Sequence, residues 1–166
     1  NCLDAIRLIS WAKKRDSNLI AISMGFHGEV SRILGKWMGC PITYAALDED
    51  SFSAPGQLLA KTMIEQYNYH SLNSKTAIYG LIGDPVHQSI SDETHNSWFK
   101  AKKINAVYVK IQVRKDELAS FLKMAKELSF SGLSVTMPLK EEVMPFLDRL
   151  DPESFKIGAV NTLLFK

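Results

Sequence analysis

Arg32 carries a planar guanidinium, a group able to grip a carboxylate through two parallel hydrogen bonds. Ser53 and Gln57 bracket an Ala-Pro-Gly turn and offer a hydroxyl and an amide that could close over a polar ligand. Ser89 and Ser91 set hydroxyls just ahead of a helical stretch, whose first amides favour an anion. Lys140 ends the run Ser134-Val-Thr-Met-Pro-Leu-Lys140, which also contains Thr136, and Asn161 lies in Ile157-Gly-Ala-Val-Asn-Thr162. A positioned ammonium can stabilise negative charge on oxygen and then supply a proton. Taken singly, each residue has a plainer reading. Arg32 is then a solvated helix residue and Ser53 to Gln57 a helix entry, while Ser89-Ile-Ser91 is a cap and Lys140 a surface lysine at a helix start.

The elements that would position these residues follow from hydrophobic spacing. Leu3, Ile6, Leu8, Ile9 and Trp11 recur at helical intervals over Cys2 to Lys14. Leu19 to Met24 is continuously apolar, as in a strand buried on both faces, and Pro41 to Leu47 predicts another. Helices are expected over Glu29 to Met38, closed by Gly39, and over Gln57 to Tyr69. Two strands cannot close a sheet of their own. The polar stretch His70 to Thr76 has linker composition, so a boundary is expected there, dividing 1–70 from 77–166 with 71–76 between. Beyond it come strands Ala77 to Ile82, Ala106 to Val113, Gly132 to Thr136 and Val160 to Phe165. Helices Asp92 to Lys103, Lys115 to Leu128, Lys140 to Leu147 and a short one after Asp151 separate them. The fold class is α/β, and residues 77–166 are expected to bury a core of their own.

Ser23-Met-Gly25, Ser31-Arg32 and Ser53-Ala-Pro-Gly-Gln57, in this order, resemble the end of the type I 3-dehydroquinate dehydratases. Those are (β/α)8 barrels that react at the C-terminal ends of their strands. The resemblance implies that 1–70 supplies the last βα units, with Arg32 binding the substrate carboxylate and Ser53 and Gln57 on a closing loop. The Schiff-base lysine and histidine of that family would precede Asn1; Lys13, Lys14 and Lys36 lie in helical segments and are not assigned that role. Gly80-Leu-Ile-Gly-Asp-Pro-Val-His-Gln-Ser-Ile-Ser91 with Thr94-His-Asn96 resembles the opening of the shikimate dehydrogenases, as do the Lys140 and Asn161 blocks. This implies an α/β substrate-binding domain over 77–166. In it Ser89 and Ser91 meet the substrate carboxylate, Thr136 and Asn161 the ring hydroxyls, and Lys140 is catalytic. Gln88 stands where a histidine is usual, Asp92 where a proline is usual and Ser134 where asparagine is frequent. His27, in a turn, is read as a surface residue, and His95 and Asn96 as structural.

The joint resemblance implies two consecutive steps of the shikimate pathway to the aromatic amino acids, dehydration of 3-dehydroquinate and NADP-dependent reduction of 3-dehydroshikimate to shikimate. No Gly-x-Gly-x-x-Gly occurs in the chain, so NADP is expected to bind through a downstream domain, and both sites are expected to be incomplete here. The alternative is a non-catalytic shikimate- or quinate-binding regulatory module. Twenty basic against eighteen acidic residues leave a charge of +2 with no basic block, which argues against a nucleic-acid partner. The apolar runs are too short to span a bilayer. No secretory signal is seen, and Cys2 and Cys40 have neither disulfide nor metal-ligand spacing. A cytoplasmic location is expected, or a plastid one in a plant.

Overall fold

A computed structural model gives the structure of the protein and describes residues 1–15 and 18–165. Helix α1, Cys2–Lys13, starts at a reciprocal cap in which Asn1 accepts from the Asp4 amide at 3.1 Å. Its periodic residues Ala5, Ile6 and Ile9 are fully buried. The helix expected over Glu29 to Met38 is broken at Leu34 into α2, Glu29–Ile33, and α3, Gly35–Met38. Gly39, at φ 91°, ends it in the left-handed conformation that glycine adopts without strain. The next helix, α4, covers only Ala60–Glu65 of the expected Gln57 to Tyr69.

Four strands follow with intervening helices: β1 Ala77–Gly83, α5 Ser91–Ala101, β2 Ala106–Gln112, α6 Leu118–Glu127 and β3 Gly132–Val135. The chain closes with α7 Leu139–Glu142, α8 Pro152–Ile157 and β4 Thr162–Leu164. The sheet order is β2-β1-β3-β4. β1 runs parallel to both neighbours, and β4 pairs antiparallel to β3. Alternation along β1 sends Ile78 and Ile82 to the main core and Leu81 to a smaller cluster with Val86, Phe99 and Tyr108. The outer edge of β2 is met by a side chain in place of a strand. Asn96 donates to the Tyr108 carbonyl and accepts from its amide, both at 2.8 Å, the structural role expected of it.

The strands expected at Leu19 to Met24 and Pro41 to Leu47 are not formed. Ala46 makes an isolated parallel bridge with Leu59, and no ladder runs through either segment. The apolar run is real, but a strand is defined by a continuous pairing neighbour, and among the described residues these segments have none beyond the single Ala46 bridge. Their surroundings still bury apolar surface. Ile6, Ile9, Val30, Ile33, Leu34 and Trp37 share one buried cluster with Ile78, Ile82, Val107, Phe121 and Phe130. Packing therefore crosses the stretch 71–76, and α1 lies against α6.

Candidate functional site

Three loops meet at the C-terminal edge of β1 and β3. After β1, the Ser89 hydroxyl accepts from the Ser91 amide at 3.2 Å and donates to the Ser91 hydroxyl at 2.8 Å. This places the two half-buried hydroxyls together at the entry to α5. After β3, Thr136 continues beside β1, its amide donating to the Ile82 carbonyl at 2.9 Å. The strand ends approach so closely that a Cβ on Gly83 would lie 2.3 Å from Thr136 Cγ2 and 2.8 Å from the Met137 carbonyl oxygen. Gly83 is thus required by contact. The third loop precedes β4. Val160 donates to the Lys140 carbonyl and Val135 to the Asn161 carbonyl, each at 2.8 Å. Lys140 and Asn161 are thereby tied to the same edge. Lys140 is half-buried and makes no salt bridge among the described residues.

The first segment builds a separate constellation. Arg32 is not the solvated residue of the plain reading, being 2% exposed. One guanidinium nitrogen donates to the Tyr44 carbonyl at 3.3 Å and another faces the Met24 sulfur at 3.7 Å, a weak acceptor. Its Nε is buried with no partner. Burial draws the guanidinium down from its ordinary value, and Glu29 works against that pull. The group keeps unused donors for an anion. The Ser53–Gln57 loop folds on itself, the Gln57 amide oxygen accepting from the Ser53 amide at 2.8 Å and from its hydroxyl at 3.3 Å. Gly25 donates to the Pro55 carbonyl at 3.0 Å, which pins this loop to the Met24-Gly25 turn. Gly56 has φ +75°, and a Cβ there would meet the Gly25 carbonyl oxygen at 2.0 Å.

Between the two constellations lies a cavity of about 230 Å³ lined by Phe26, His27, Glu29, His87, Lys110 and Gln112 among others. Sequence reasoning missed the buried carboxylate that pairs with Lys110 of this lining at 3.3 Å. Asp92, read as a helix-start residue, is 1% exposed and accepts from Tyr67 and Gln66 of the first segment. The only sequence signal was its departure from the usual proline. No group of three or more His, Cys, Asp and Glu side chains among the described residues could hold a metal. A dinucleotide does not fit the residues present. β1 ends on Gly83, the turn after it opens with Asp84-Pro85 and holds no glycine, and the α5 entry is occupied by serine hydroxyls instead of the bare amides of a glycine-rich turn. Among the described residues no helix is long and apolar enough to cross a membrane.

Comparison with known proteins finds two family matches in succession along the chain. Residues 81–163 match the shikimate dehydrogenase substrate binding domain, and residues 1–74 match type I 3-dehydroquinase. The bifunctional 3-dehydroquinate dehydratase/shikimate dehydrogenase of Arabidopsis thaliana, a chloroplastic protein, is 39% identical over 97% of this chain and 26% of its own length. The NADP(+) shikimate dehydrogenase of Pyrococcus furiosus is 48% identical over 56% of this chain and 34% of its own. A crystal structure of shikimate 5-dehydrogenase from Listeria monocytogenes, in complex with shikimate and NAD, superposes with a TM-score of 0.55 at 31% identity. It covers 56% of this chain and 32% of that one. The chain thus spans about a quarter to a third of the length of these relatives. Matched over half its length by the substrate-binding module and before it by a dehydroquinase segment, the chain belongs to the shikimate dehydrogenase family, in its fusion with a type I 3-dehydroquinase.

Proposed function

We propose that this chain is the junction of a bifunctional shikimate-pathway enzyme that dehydrates 3-dehydroquinate and reduces the product, 3-dehydroshikimate, to shikimate. Residues 1–70 are the closing part of the dehydratase barrel, 71–76 the linker and 77–166 the substrate-binding domain of the reductase. The observation that carries this reading is the convergence of Ser89, Ser91, Thr136, Lys140 and Asn161 on one sheet edge from three loops. The serine pair faces the substrate carboxylate, helped by the first amides of α5. Thr136 and Asn161 position the ring hydroxyls. In reduction of the ketone, Lys140 stabilises the negative charge that gathers on oxygen and supplies the proton that makes the alcohol. In the dehydratase, Arg32 holds the substrate carboxylate, while Ser53 and Gln57 shield it from water. NADP belongs to a dinucleotide-binding domain downstream of these residues, and the small-molecule acids of the pathway are the only partners assigned. The protein works in the cytoplasm, or in the plastid of a plant.

The test is Lys140→Met in the whole protein. Loss of the ammonium should lower kcat for shikimate oxidation by about a hundredfold or more, with the dehydratase rate unchanged. Normal reduction by this variant would make Lys140 a surface residue and remove the site assignment.

A further inference from the structure

We infer that Tyr67 and Gln66, which belong to the dehydratase-type segment, are positioning residues for the carboxylate end of the reductase pocket, acting through Asp92. The inference rests on the function proposed above for that pocket. Asp92 lies in the first turn of α5, next to Ser91, with its side chain 2% exposed. A carboxylate so removed from water is tolerated only when it is paired and hydrogen-bonded. Its Oδ2 accepts from the Tyr67 hydroxyl at 2.6 Å and from the Gln66 amide at 2.8 Å. Its Oδ1 faces the Lys110 ammonium at 3.3 Å. Both of its neutral donors therefore come from the other segment, across the stretch 71–76.

The cluster reaches the substrate serines from two sides. Asp92 follows Ser91 directly in the chain. Lys110, on β2, also donates to the Ser89 carbonyl at 3.0 Å. A continuous path thus runs from Tyr67 to Asp92, Lys110 and Ser89, whose hydroxyl in turn holds Ser91. Tyr67 is itself 5% exposed, and burial followed by the Asp92 charge holds its phenol well above the usual range, so it stays a donor. Where the family has proline, the ring itself restricts the backbone at this turn. Here the restraint is lent from outside by a neighbouring segment. Taking away the Tyr67 hydroxyl leaves Asp92 short of its closest donor and lets the serine turn move, so the anion meets a less ordered site.

The experiment uses the whole protein and follows two substrates. Tyr67→Phe should raise KM for shikimate about fivefold, with kcat for shikimate within about twofold and dehydratase kcat/KM unchanged. Gln66→Ala should raise the same KM by a smaller factor. In an Asp92→Pro background, adding Tyr67→Phe should change nothing, because the acceptor is gone and the turn is restrained internally. Simple loss of folded protein would scale both activities together and leave each KM where it was. An unchanged shikimate KM in Tyr67→Phe, or the same rise with and without Asp92, would overturn the inference while leaving the proposed function intact. A wild-type protein that neither binds nor oxidises shikimate would overturn both.

Discussion

Glu29 faces the cavity between the two constellations, one helical turn from Arg32. Burial lifts its carboxyl from 4.5 to about 7; Lys110 pulls it back, Asp92 pushes it up and Arg32 pulls it down. The folded chain then holds this proton more tightly than the unfolded one. The stability it contributes is fully present below 4.5 and is lost as pH rises through about 7. Glu29→Gln should remove that slope and raise stability at about pH 8 by roughly 2–3 kcal/mol, read from urea unfolding at two pH values. Arg32→Lys in the whole protein should weaken dehydratase action by about tenfold or more and spare shikimate oxidation, since a lysine cannot supply a planar two-bond grip. Comparable loss in both assays would indicate unfolding. At Cys2, burial and then Glu117 push the thiol up to about 12. A thiol reagent at about pH 8 should leave Cys2 unlabelled until denaturant is added, because the thiol and not the reactive thiolate dominates. The sequence made Arg32 visible through its motif but not its burial. It could not show Asp92 as a junction, because Tyr67 lies twenty-five residues away and nothing local announces the contact.

At the scale of elements, the parallel core of the second segment was legible because each strand is short, apolar and bounded by turn residues. Ala77–Gly83, Ala106–Gln112 and Gly132–Val135 lie within a residue or so of their expected limits. The first segment was legible as motif and poorly legible as secondary structure. Leu19 to Met24 has the composition of a buried strand, but a ladder needs a neighbour that composition cannot supply. Leu34 likewise gave no warning of the break between α2 and α3. Two substitutions test how the elements hold the site. Gly83→Ala would drive its methyl into Thr136 and the Met137 carbonyl and should cost about 1–3 kcal/mol, with a raised KM for shikimate in the whole protein. Asn96→Ala would strip the Tyr108 backbone of both its edge partners and should cost about 1–3 kcal/mol in thermal or urea unfolding. Unchanged stability in the second case would mean that water replaces the amide without loss.

On the scale of the whole molecule, sequence reading expects residues 77–166 to bury a core of their own, and the structure shows one buried cluster drawing on both segments. Each Ile, Leu or Val that α1 to α3 bury within it contributes about 1.5–3 kcal/mol against exposure. Limited proteolysis should still cut in the exposed residues Asn73 to Lys75. The two pieces should then elute together in native size exclusion and part only in denaturant; immediate digestion of the N-terminal piece would speak for a loose association. Beyond this shared core lies the outer edge of β4. Among the described residues it pairs only with β3, and Leu164 is 73% exposed. Its unpaired amides and carbonyls offer a template on which another copy could lay down a strand. The consequence is colloidal: the isolated chain should scatter more light as it is concentrated, and Leu164→Lys should keep it dispersed.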